Sequence, residues 1–179
     1  MNKYELFTNT AYMDYNGNDE VEIAKIVDSE SKETVFFVYY SKTVYCDEGY
    51  HLCPVVYANE NNEILVVKVD DIHRECLYSQ PSVFLSMVLH EYAHYINGDL
   101  NETELTTKQI QEKRSRCILE GSVMDIELKA DAFAISHVGK NTFMRSMDYM
   151  IKKRRERGDR DMQLAIQEFE LRKKAARKL

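Results

Sequence analysis

Between Pro81 and Ile96 the chain carries an apolar segment interrupted by three ionisable side chains, and this combination restricts how it can fold. Val83, Phe84, Met87, Val88, Tyr92 and Ile96 recur at helical spacing. Leu85, Leu89, Ala93 and Tyr95 make nearly every side of that helix apolar, as in a helix buried in a core. Pro81 suits the first helical turn, and Asn97-Gly98 should end the helix because both residues tolerate the left-handed conformation of a C-cap. The ionisable residues lie in its middle, in His90-Glu91-Tyr92-Ala93-His94. Buried there without partners they would impose a large desolvation cost, which a bound metal ion removes.

The spacing of these residues is HExxH. Four residues is slightly more than one helical turn, so the two imidazoles project from one face about 40° apart and can share one ion. Glu91 sits beside them, placed to accept a proton from water made acidic by the metal. A catalytic zinc needs a third protein ligand and an open position. Downstream, Glu127 and Asp131 lie one turn apart within Ile126-Glu127-Leu128-Lys129-Ala130-Asp131 on a second helix. Glu127 would complete a site of two histidines and one glutamate. Asp131 would accept the free ring N–H of one ligating histidine. Asp125 or Asp131 as third ligand is the rival assignment. Two imidazoles and a carboxylate favour zinc, one ion per chain.

At these two motifs the chain resembles the gluzincin clan of zinc metallopeptidases, in which HExxH on one helix is followed by ExxxD on the next. The narrower form ExxAD, read at Glu127, Ala130 and Asp131, is similar to that of the soluble, minimal relatives of the CAAX-prenyl-protease and heat-shock membrane-protease family, including compact metallopeptidases of bacteria and their phages. The resemblance runs from about Leu65 through Phe133. Matched by motif, His90, His94 and Glu127 take the ligand positions, Glu91 that of the base and Asp131 that of the supporting carboxylate. It implies an α+β, minimal zincin-like fold and hydrolysis of peptide bonds, and the shortness of the chain, with few elements to bind substrate, leads us to expect limited cleavage of a particular protein or peptide. It also implies that a strand before the HExxH helix forms the cleft edge, where an extended peptide adds as a further strand, with Ile64 to Val69 as the candidate. His137, Arg145 and Tyr149 are candidate donors to an oxyanion. The third histidine of the metzincin pattern is missing, its place being taken by Leu100.

The rest of the chain supplies a scaffold of ordinary size. With 179 residues, 44% of them hydrophobic, it can build one sizeable core, and we expect a single domain over residues 1 to 179. Three runs rich in β-formers, from Val35, from Pro54 and from Ile64 to Val69, predict strands. Asn59 to Glu63 suits a hairpin connection, so a small antiparallel sheet packed on a helical bundle is expected. Residues 1 to 34 are ambiguous. Asn101 to Ser115 is polar and reads as an exposed helix or loop, a candidate lid. Further helices are expected over about Leu119 to His137, Thr142 to Arg157 and Arg160 to Lys178, the first burying Val123, Ile126, Ala130, Phe133 and Ala134.

No apolar run follows Lys3 as a secretory signal requires, and Val83 to Leu89 is far shorter than the about 20 residues of a membrane span. A soluble, cytoplasmic protein is expected. The four cysteines form no CxxC pair and read as free thiols, although Cys46, His51 and Cys53 cluster as a candidate second metal site. The net charge of -6 is uneven: residues 151 to 179 carry 11 basic and 5 acidic side chains, against 13 and 25 before them. Such a tail reads first as the solvated face of a terminal helix. Two rivals to an enzyme remain: a zincin scaffold that binds a partner without turnover, and a nucleic-acid-binding protein using Lys152 to Arg160 and Arg172 to Lys178.

Overall fold

A computed structural model describes residues 3–9, 20–41, 52–59, 62–99, 107–158 and 162–179. Their contacts divide the chain into two units, Met1–Tyr92 and Ala93–Leu179, with the division falling inside one helix. The architecture is α+β, as the sequence predicts.

The first unit holds five strands, β1 (Tyr4–Thr8), β2 (Glu20–Asp28), β3 (Thr34–Ser41), β4 (Leu52–Asn59) and β5 (Asn62–Val69), in the order β1-β2-β3-β5-β4. On β3 the buried Phe36, Val38 and Tyr40 alternate with more exposed neighbours, the period expected of a strand with one face on the core. The sheet is mixed, where the sequence reading expected it to be antiparallel throughout. β4 and β5 form the expected antiparallel hairpin, with Asn59 paired to Asn62, but β5 runs parallel to β3, from Phe37↔Val66 to Tyr40↔Val69. The reason lies in which hairpin strand goes inside. Leu65, Val66, Val67 and Val69 are all buried, the habit of a strand flanked on both sides, whereas Pro54 in β4 has no N–H to give and suits an edge.

Two helices follow in this unit. The helix α1 (Asp71–Ser79) was not foreseen; the Asp70 carboxylate caps it by accepting from the backbone N–H of His73 at 3.1 Å. Pro81 opens α2 (Pro81–Ile96), and its Val83, Phe84, Val88 and Leu89 are fully buried. Tyr92 stacks on Phe36 of β3, with ring centroids 5.0 Å apart, and meets Tyr4 of β1 edge-on at 6.0 Å. Tyr92 thus turns one face of α2 to the sheet, and His90 and His94 project from the other, about 160–200° around the helix.

The second unit continues α2 and adds α3 (Thr107–Leu119), α4 (Asp125–Val138), α5 (Lys140–Arg157) and α6 (Met162–Ala176). α4 begins six residues later than the sequence suggested, since α3 extends to Leu119 and Gly121, at φ +75°, breaks the chain between them. Its buried face also differs from the expectation. Glu127, Ala130, Asp131 and Ala134 are buried, whereas Val123, Ile126 and Phe133 are only partly covered. Two carboxylates replace hydrophobic residues on that face because a buried arginine meets them, as described below.

Candidate metal centre

The end of α2 is shaped by its cap. Gly98, at φ +76°, bends the chain so that its N–H reaches the Tyr95 carbonyl (3.1 Å) while the N–H of Asp99 reaches that of His94 (3.0 Å). This pair of bonds is a Schellman motif. It carries the Asp99 side chain back over the last turn, where Oδ2 lies 2.8 Å from His94 Nδ1. A carboxylate only accepts, so Nδ1–H is the donor and, in the neutral ring that a metal requires, Nε2 keeps its lone pair. Ring orientation and tautomer are thereby set as a metal ligand requires.

Glu127, in the first turn of α4, stands opposite that lone pair, with Oε1 4.0 Å from His94 Nε2. His90, His94 and Glu127 each bring one ligand atom to within 4.8 Å of the others. Donors on one tetrahedral zinc, at about 2.1 Å from it, lie roughly 3.4 Å apart, so the His94–Glu127 distance need close by only about half an ångström. The donor set, two imidazole nitrogens and one carboxylate oxygen, fits a zinc-type ion. Glu91 adjoins it, its Oε1 4.0 Å from His90 Nε2 and its side chain 15% exposed.

Asp131 is also buried, 2% exposed, and it accepts a two-pronged contact from Arg172 of α6: Nε donates to Oδ2 at 2.9 Å and Nη2 to Oδ1. The third guanidinium nitrogen, Nη1, is 3.4 Å from Glu127 Oε2. Burial opposes the charge on Arg172, but Asp131 and Glu127 outweigh it and hold the pKa above the ordinary arginine value. The supporting role expected of Asp131 toward a histidine is filled, for His94, by Asp99. The sequence reading missed Asp99, for which Gly98 after a predicted helix end was the available signal. It also placed Arg172 and Lys173 on a solvated basic face; they are 4% and 9% exposed, and Lys173 Nζ lies 2.6 Å from Asp148 Oδ1.

The remaining candidates are placed as follows. Asp125 is exposed at the start of α4 and is not in the triad. His137 lies edge-on to Phe133, Arg145 is exposed on α5, and Tyr149 is buried with Lys153 Nζ 5.8 Å from its ring. Ile64 to Val69 cannot be the cleft edge, because β5 is hydrogen-bonded to β3 on one side and β4 on the other; the sheet's edges are β1 and β4. The part of the candidate lid that falls in α3 is tied to α6, since Arg114 donates twice through Nε and once through Nη2 to Glu168 at 2.7–3.0 Å. Cys46 and His51 lie outside the described residues, as does the side chain of Cys53, while Cys76 and Cys117 are free thiols. No helix among the described residues is long and apolar enough to cross a membrane. No family model matches the chain, and no curated protein or solved structure matches it either.

Proposed function

We propose that the chain is a zinc-dependent metallopeptidase of gluzincin type, held together chemically by His90, His94 and Glu127 as ligands. The observation that carries this reading is the convergence of those three donors, with the Nε2 lone pair of His94 aimed at Glu127 because Asp99 holds the opposite ring nitrogen. Zinc held there would polarise a carbonyl and bring the pKa of a coordinated water to about 7. Glu91 is the base, taking the proton from the attacking water and returning it to the leaving amine. Asp99 accepts from His94 Nδ1, which leaves Nε2 as the ring nitrogen that faces the metal position and holds the ring in its plane. An extended peptide would add at β1 or β4, the outer strands of the sheet among the described residues. Limited cleavage of a particular protein or peptide is the expected activity; digestion of casein at the rate of a digestive protease would contradict that.

Metal content separates this reading from its rivals. Purified protein should carry one zinc per chain by mass spectrometry, and His94→Ala and Glu127→Ala should lose it. Glu91→Gln should keep the zinc and lose peptide hydrolysis, by at least the 10²-fold that a general base contributes. Zinc uptake without any cleavage by the unmodified chain would favour a binding scaffold. No uptake when zinc is supplied would end the metallopeptidase reading.

A further inference from the structure

The second unit contains a line of buried charges that the reaction as described does not use. It runs from Glu127 to Arg172, from Arg172 to Asp131, and from Arg172 by electrostatic attraction to Glu168, which Arg114 clasps. The fork on Asp131 fixes the plane of the Arg172 guanidinium, because two parallel N–H···O contacts leave it no rotation. With that plane fixed, Nη1 can fall only where it does, 3.4 Å from Glu127 Oε2. The other oxygen, Oε1, is the one facing His94 Nε2. The two oxygens of Glu127 therefore have different partners, one a cation and one the metal position.

We infer that Arg172 is a positioning residue of the metal centre: by occupying Oε2 it makes Glu127 a ligand through Oε1 alone, which builds the last helix, α6, into the site. The inference rests on the reading of His90, His94 and Glu127 as metal ligands. Its chemical consequence is a free coordination position. A glutamate that binds through both oxygens fills a place that water or a substrate carbonyl needs.

The test replaces Arg172 without leaving its partner as a lone buried charge. The unmodified protein serves as the reference and Asp131→Asn/Arg172→Met as the test variant, so that no unpaired Asp131 carboxylate remains to unfold the unit. Zinc affinity is measured by chelator competition, and ligand number by the visible absorption of the cobalt-substituted protein, with far-UV circular dichroism confirming the fold. The expected result is zinc binding 10- to 100-fold weaker than in the reference, the usual size of a lost outer-shell partner. The cobalt band should also weaken as Glu127 turns from one-oxygen to two-oxygen binding. Equal affinity and an unchanged band in the unmodified protein and the double variant would overturn the inference while leaving the metal centre intact. Arg172→Lys, which keeps the charge but has no fork, should also weaken binding; wild-type affinity and spectrum in that variant would overturn the positioning role. Failure of the unmodified chain to bind zinc would instead overturn the underlying reading, and with it the inference.

Discussion

At the scale of single residues, Asp99 shows how a helix cap becomes part of a chemical site. Its carboxylate reaches His94 Nδ1 only because Gly98 adopts a conformation that side-chain-bearing residues rarely accept. Replacing Asp99 by Ala frees the ring to rotate and to change tautomer, and zinc affinity should fall 10- to 100-fold, measured by chelator competition. An unaltered affinity would mean that α2 alone orients His94. Asp99→Asn should be milder, since an amide oxygen still accepts from Nδ1–H. These residues differ in how far the sequence announced them. His90, Glu91 and His94 are adjacent on one helix, so spacing alone fixes their common face. Glu127 was readable from its motif. Asp99 and Arg172 were not, because the first depends on a turn's backbone angles and the second on which distant helix packs against α4.

At the scale of elements, the same contrast separates what is local from what is not. Strand identity was legible in the β-rich runs of β3, β4 and β5, and the hairpin in its asparagines; strand order was not, since it depends on which strand the hairpin lays against β3. Pro54 was the overlooked indication that β4 lies outside. The helix α1 escaped notice because its nine residues mix charged and apolar side chains, yet its cap is strongly built. Asp70, 3% exposed, accepts from the His73 N–H and lies 2.6 Å from His73 Nδ1 within a buried setting. His73 Nε2, also buried, has no hydrogen-bond partner among the described residues, so Asp70 is what satisfies this ring there. Asp70→Ala removes a cap worth about 1 kcal/mol and strands a buried donor at about 1–3 kcal/mol, a loss of roughly 2–4 kcal/mol in all. Urea unfolding should show this as a lower midpoint at unchanged slope. A shift worth less than 1 kcal/mol would mean that α1 is held by Ile72 and Leu77 alone.

At the scale of the whole molecule, part of the uneven charge distribution is answered inside the fold. The excess of basic residues after position 150 suggests a nucleic-acid arm, but Arg172 answers buried carboxylates of α4 and Lys173 answers Asp148 of α5. Part of the tail's charge is thus internal compensation, a local balance of tail cations against carboxylates of α4 and α5. The same balance bears on stability. His90, His94, Glu127 and Asp131 are polar groups in positions that a core would otherwise fill with apolar side chains, and a metal ion that binds only the folded chain should supply stability by mass action. At 100 times its dissociation constant, free zinc would add about 2.7 kcal/mol. For a chain of this length each kcal/mol moves the melting temperature by about 2–4 °C, which predicts a rise of roughly 5–11 °C in calorimetry. The rise should disappear in His94→Ala and persist in Glu91→Gln, since the first removes a ligand and the second only the base. An equal rise in His94→Ala would place the stabilising zinc somewhere other than this centre.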